Sequence, residues 1–190
     1  MNKYRNTDAQ IAVIVPTMGD RPQYLSQCLS AIKNQEINTF VVVVRPAGMK
    51  SMDASISSVA DKILNDPAIG LAGAINLGLK DLPQSIRYVT WIGDDDFYEP
   101  GSLETMFTAL SQSPETKMVF GNCNILDTQG RLIRLFHPSI FFRILTRLGP
   151  NQIAQPASMF RKDAFEKAGS LDEMLRYAMD LDLWLRIFKI

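Results

Sequence analysis

Ile11-Ala12-Val13-Ile14-Val15, closed by Pro16, is an apolar run with no polar residue alternating through it. A strand with one wet face alternates, whereas a strand covered on both faces does not, so this run reads as an inner strand of a parallel sheet. Outward from it, Leu25, Cys28, Leu29 and Ile32 recur at helical spacing. They mark an amphipathic helix opened near Pro22, a residue that a first turn tolerates. Residues 40–44 repeat the strand pattern with four consecutive valines and stop at Pro46. Lys62-Ile63-Leu64 is a shorter candidate strand, and Leu71, Ala74, Ile75 and Leu79 outline a helix face behind Gly70. Residues 88–92 form another strand, ending abruptly in Gly93-Asp94-Asp95-Asp96. Leu103, Met106, Phe107 and Leu110 give the next helix, and Met118-Val119-Phe120 the next strand. This alternation is the pattern of an α/β, Rossmann-like, mostly parallel sheet with flanking helices. Such sheets bind ligands beyond the carboxyl ends of their strands, which directs attention to the loops after Val15, Val44 and Ile92.

The second half has a different texture. Residues 124–127 and 131–136 flank Thr128-Gln129-Gly130, the pattern of a hairpin and so of a small antiparallel extension. Residues 140–148 are apolar with Arg143 and Arg147 interleaved, read as a core helix stopped by Gly149-Pro150. Leu181, Trp184, Leu185 and Phe188 form a last helical stripe that runs toward Ile190 without a capping residue, as in a chain that continues. A length of 190 residues fits one domain spanning 1–190, since single cores stop growing only well above that size.

Composition excludes several classes. The 20 basic residues balance 20 acidic ones, so a general grip on the phosphate backbone of nucleic acid is not expected. Cys28 and Cys123 stand far apart and in no metal-ligand spacing, which fits a reduced cytoplasmic compartment. Residues 1–10 are polar, unlike a signal peptide. No apolar run approaches the roughly 20 residues of a membrane span. A cytoplasmic protein is expected, with room for peripheral contact at the inner face of a membrane through Ile140-Phe141-Phe142.

Chemistry concentrates in a few places. Three adjacent carboxylates, Asp94, Asp95 and Asp96, repel one another, and either a cation or full solvation relieves that repulsion. Hard oxygen ligands suit Mg²⁺ or Mn²⁺, and a solvated acidic turn bent at Gly93 is the alternative. Asp180 precedes a helical stripe, where it serves either as an N-cap or as a positioned general base. Thr17 follows the first strand, and its hydroxyl is placed to meet a nucleotide or simply to close a loop. His137 is the only histidine, so a Ser-His-Asp or multi-histidine zinc site built on several of them is excluded. Neither GxGxxG after a strand nor GxxxxGK[ST] occurs, which removes the dinucleotide and P-loop cradles.

Four segments, in order, resemble the inverting glycosyltransferases of family 2, which have the GT-A fold. They are Ile11 through Thr17 with the following helix and Gln35; Gly70 through Gly78 with Asn76; Trp91-Ile92-Gly93-Asp94-Asp95-Asp96 with Pro100 and Leu103; and Met159 through Glu173 with Asp180-Leu181-Asp182-Leu183-Trp184. The resemblance implies a metal-dependent, inverting transfer from a nucleotide-sugar donor (UDP-, dTDP- or GDP-linked) to a hydroxyl of a saccharide or lipid-linked acceptor. It implies Asp180 as the catalytic base, Pro16, Thr17, Asn76 and Asp94 on the donor side, and Mn²⁺ or Mg²⁺ held by Asp94, Asp95 and Asp96. Asp95 matches the surest ligand, while Gly93 stands where many members carry the first carboxylate of a D-x-D motif. The chain also departs from the family where Arg45-Pro46-Ala47-Gly48 replaces an acidic strand end, with Asp53 too distant to substitute. Met179 and Ile75 are further departures. A non-catalytic sugar-nucleotide-binding module and a nucleotidyltransferase are the competing readings, and residues 136–155 are expected to select the acceptor.

Overall fold

The computed structural model describes residues 8–149 and 151–190. Pro150 and the first seven residues of the polar amino-terminal stretch lie outside the described residues, as does the side chain of Arg143. The elements alternate as the sequence leads one to expect: β1 (Ile11–Pro16), α1 (Pro22–Lys33), β2 (Thr39–Arg45), the short α2 (Asp53–Ile56), β3 (Lys62–Asn65), α3 (Leu71–Leu79), β4 (Tyr88–Trp91), α4 (Ser102–Ser111) and β5 (Met118–Phe120). A hairpin of β6 (Cys123–Leu126) and β7 (Leu132–Phe136) follows, then α5 (Phe142–Arg147), β8 (Ser158–Arg161), α6 (Lys162–Ala168) and α7 (Met179–Ile187).

Six strands form the central sheet in the order β3-β2-β1-β4-β8-β5, and β6-β7 stand as a separate two-stranded sheet. β1 pairs in parallel with β2 on one side and β4 on the other, and β2 pairs in parallel with β3. β8 runs antiparallel between β4 and β5. Every residue of β1, β2 and β4 is buried, as the unbroken apolar runs require. Their alternate side chains feed two cores. Ala12, Ile14, Val42, Val44 and Trp91 face one helical layer that includes α3 and α7, while Val13, Val15, Val41 and Val43 face α1 and α4.

Local details differ from the periodicity. Leu71 is exposed, and the inward face of α3 is Ala72, Gly73, Ala74, Ile75 and Gly78. Small residues dominate because α3 lies very close to β1: a Cβ on Gly78 would sit 2.4 Å from the Ile14 Cγ2. α5 is not a core helix. Ile140, Phe141, Ile144 and Leu148 are all exposed, since six helical residues attached at the sheet's edge can bury only one side. α7 ends at Ile187 rather than running to Ile190, and it buries Leu183, Trp184 and Ile187. β8 and α6 carry no strong periodic signal, because a four-residue strand between two neighbours offers too short a pattern. Both cysteines are free thiols, and burial pushes the Cys28 thiol up to about 12.

Gly78→Ala should lower stability by about 1–3 kcal/mol through overpacking against Ile14, measured by urea denaturation. Combined with Ile14→Ala, which removes the Cγ2, the loss should be smaller than the sum of the two single losses; additive losses in the double variant would contradict the close-approach explanation.

Candidate active site

The parallel register sets the site. Ile14 of β1 lies opposite Trp91 of β4, and Pro16 opposite Val44 of β2, so the three strands finish along one edge of the sheet, β4 two residues short of β1, and their following loops converge. Thr17 is the first residue beyond β1, and its backbone N–H donates to the Val44 carbonyl at 2.9 Å. Asp94 stands three residues beyond β4 and is only 2% exposed. A buried carboxylate needs hydrogen bonds and a counter-charge. Asp94 receives both: its Oδ2 accepts the Thr17 hydroxyl, and its Oδ1 accepts the Arg21 Nη2 at 2.6 Å. Thr17 Oγ1 also accepts the Gly19 N–H at 3.0 Å, which closes the loop into a turn with Gly19 at φ 77°. Arg21 uses its second nitrogen, Nη1, on Asp95. The forked reach of Arg21 toward two carboxylates becomes apparent only in the fold.

Asp95 and Asp96 turn outward into a hollow of about 950 Å³. Its walls include Arg21, the segment from Phe97 to Ser102, and residues 121–130 of the hairpin. Desolvation by these walls and repulsion from Asp95 push the Asp96 carboxyl up to about 6, against the opposing charge of Arg21; Asp94 adds further repulsion. Among the described residues no three acidic, histidine or cysteine side chains converge to hold an ion. Within the acidic triplet the environments differ: both Asp94 oxygens accept hydrogen bonds inside the protein, from Thr17 and from Arg21. The remaining pair fits a different arrangement. Mg²⁺-like ions commonly take one or two carboxylates and complete their shell with water and substrate phosphate, and Asp95 and Asp96 on one hollow meet that demand.

Behind the acidic turn, Gln35 clamps the chain. Its Nε2 donates to the Glu99 carbonyl at 3.1 Å, and its Oε1 accepts the Leu103 N–H at 3.1 Å, satisfying a donor that the first turn of α4 leaves free. At the end of β2, the departure at Arg45 is compensated in space. Arg45 is 3% exposed, and Asp53 takes its Nε and Nη2, each at 2.7 Å, while Asn65 accepts Nη1 at 2.6 Å. Asp53, distant in sequence, thus reaches the end of β2 because α2 folds back over it. The hydrogen bonds and charge of Arg45 hold the Asp53 carboxyl below its ordinary value.

Asp180 sits in the first turn of α7 without serving as its N-cap. That place belongs to Ala178, which adopts a left-handed φ of 55° and accepts the Asp182 N–H through its carbonyl. The Asp180 carboxylate accepts the Asn151 Nδ2 at 3.0 Å and the Leu181 N–H at 2.8 Å. It does not line the hollow of Asp95 and Asp96. Two devices nevertheless tie its helix to the end of β4. Trp184, one turn along α7, stacks on Trp91 at 5.9 Å and on Phe160 at 5.0 Å. Four residues after Asn151, Gln155 donates its Nε2 to the Trp91 carbonyl at 2.5 Å. Asn76 lies elsewhere: its amide accepts the Leu171 N–H and donates to the Leu171 carbonyl and to Glu173, and it lines a second hollow with α6. Its polar groups are committed to holding that loop.

Comparison with known proteins identifies the family and the fold. The family model for glycosyl transferase family 2 matches residues 12–169. A glycosyltransferase of Rickettsia prowazekii, itself uncharacterized, is 23% identical over 95% of this chain and 59% of its own length. The amylovoran biosynthesis glycosyltransferase AmsE of Erwinia amylovora is 28% identical over 90% of this chain and 66% of its own. The chain thus spans less than two thirds of these curated relatives. Among solved structures, S. aureus TarS 1–349 superposes with a TM-score of 0.70 at 16% identity, covering 94% of this chain and 55% of that one. The mannosyltransferase PcManGT from Pyrobaculum calidifontis, in complex with GDP-Man and Mn²⁺, gives 0.69 at 18% identity over 94% of this chain and 51% of its own. Both likenesses establish the GT-A fold, with its mostly parallel sheet and antiparallel addition.

Replacing Asp53 by Asn should lower the melting temperature, because the buried Arg45 loses its counter-charge. The Asp53 carboxyl is held below its ordinary value in the folded state, so its stabilisation is present above the ordinary carboxylate range and is lost as pH falls through the folded value. Thermal denaturation across acid pH should therefore fall more steeply for the parent than for Asp53→Asn; parallel curves would remove the ion pair from the account.

Proposed function

The chain belongs to glycosyl transferase family 2, and we propose that it transfers a glycosyl group from a nucleoside diphosphate sugar to an acceptor hydroxyl in one inverting displacement. The observation that supports this most is the convergence of the loops after β1, β2 and β4, with Thr17, Arg21, Asp94 and Asp95 joined in one network at the carboxyl end of the parallel sheet. That is where such sheets receive nucleotides. The Mn²⁺ and GDP-Man of the PcManGT complex and the UDP of a TarS complex are in keeping with a nucleotide donor and a divalent ion.

In this reading Pro16 and Thr17 form the floor against the nucleoside, with Asp94 behind them fixing the Thr17 hydroxyl. Asp95 and Asp96 hold Mn²⁺ or Mg²⁺, which when bound neutralises the charge that develops on the departing diphosphate. Arg21 keeps Asp95 oriented toward the hollow and offsets the repulsion within the turn. Asn76 acts indirectly, by holding the Leu171–Glu173 loop. Asp180 takes the proton of the acceptor hydroxyl as that oxygen attacks the anomeric carbon from the face opposite the diphosphate. Asn151 and the Leu181 N–H orient its two oxygens for that transfer. The hairpin wall of the hollow, residues 121–130, leads toward residues 136–155, to which we assign acceptor selection. A saccharide acceptor agrees with the amylovoran biosynthesis for which the Erwinia relative is named.

Two measurements test the reading. A panel of nucleoside diphosphates should raise the melting temperature with Mn²⁺ present, more at pH well above 6 than below it, because Asp96 must lose its proton to hold a cation. No response to any nucleotide would overturn the donor assignment. Asp180→Asn should keep this nucleotide-dependent shift while transfer, followed by mass spectrometry with a donor panel and simple saccharide acceptors, falls by roughly 10²–10⁴-fold. A nucleotide shift in the parent with no transfer would instead indicate the non-catalytic binding module, and full activity in the variant would remove Asp180 as base.

A further inference from the structure

α5 carries apolar residues on two opposite sides. The inner side is anchored: Phe142 packs edge-on against Phe120 at 4.8 Å and Phe188 at 6.0 Å, and Thr146 is buried. The outer side presents Ile140, Phe141, Ile144 and Leu148, exposed by 88%, 61%, 59% and 75%. Positions 141, 144 and 148 follow one another at helical spacing, so they form a single stripe rather than scattered surface residues. A single exposed leucine needs no explanation, but four large apolar side chains within nine residues do.

Charge indicates what covers them. The chain as a whole is neutral, yet from Thr128 to Lys162 it contains no Asp or Glu. Within that stretch Arg134 and Arg147 stand exposed, with no ion-pair partner found for them among the described residues, while Arg131 is paired with Asp127. Arg147 lies in α5 itself, beside the outer stripe. The preceding hairpin adds exposed Leu132 and Ile133 close to these arginines in sequence. A second protein copy bearing this same basic face would be repelled by it, whereas an anionic lipid surface satisfies both halves of the pattern. Apolar side chains enter the headgroup boundary and arginines meet the lipid phosphates, which is how interfacial helices bind. We infer that the outer face of α5, from Ile140 to Leu148, is a membrane-docking surface for anionic phospholipid bilayers.

The surface is independent of the donor reading, because lipid binding uses neither the hollow nor a nucleotide. The test is flotation of the purified full chain with vesicles of phosphatidylcholine alone or mixed with phosphatidylglycerol. Binding should appear with the mixed vesicles, weaken as salt rises, and drop about tenfold in Ile140→Ser/Phe141→Ser/Ile144→Ser/Leu148→Ser. These side chains are exposed, so circular dichroism should be unchanged. Arg134→Gln/Arg147→Gln should remove most of the preference for anionic vesicles. Failure to bind mixed vesicles at low salt, or equal binding by the serine variant, overturns the inference. So does a dimer in sedimentation that the serine variant dissociates, since the face would then be a contact between copies.

Discussion

The shared carboxyl edge of three parallel strands is the constraint on which the site depends. Parallel pairing leaves little freedom once Ile14 opposes Trp91 and Val15 opposes Val43. The chain must leave the sheet at one edge three times, and polar groups gathered there have to neutralise one another. Asp94 shows the cost of that arrangement most directly. It is almost completely buried, and Thr17 and Arg21 occupy its two oxygens. Those contacts fix the first loop and the acidic turn against each other. Asp95, held on one side by Arg21, and Asp96 turn outward and face the hollow.

The central sheet was readable because both-face burial leaves a conspicuous mark: the interiors of β1 and β2 are unbroken runs of apolar, mostly β-branched residues. The loops that matter followed from the strand order alone. The roles of individual side chains were less accessible. Three adjacent aspartates look equivalent in a sequence, and only burial separates Asp94 from its neighbours. Arg45 reads as a lost acidic residue until α2 brings Asp53 back to it. Arg21, whose value lies in reaching two carboxylates 73 and 74 positions away, carries no local signal at all. In α5 the periodicity identified apolar stripes but could not say that one of them had no protein to rest on.

The second half of the chain contributes through packing rather than pattern. Trp91, Phe160 and Trp184 stack with ring centroids 5.0–5.9 Å apart, and Phe165 meets two of them edge-on. Such aromatic contacts combine large buried area with defined geometry. They fix α7 to the last residue of β4, so that the carboxylate at its first turn is positioned by a cluster made of β4, β8, α6 and α7. The 151–155 segment reinforces the link through Asn151 and Gln155.

The place of β8 has an implication for how the molecule is assembled. β5 bonds to the sheet only through β8, which arrives some forty residues later in the chain, and the outer edge of β4 also waits for it. During synthesis the four parallel strands can associate early, but they do so with an unsatisfied border, and unpaired borders recruit other chains. Ordering therefore depends on a long-range closure near the end of translation of this region, a slow step by the logic of loop entropy. Until that last strand slots in, the nascent protein is most exposed to misassociation along this seam.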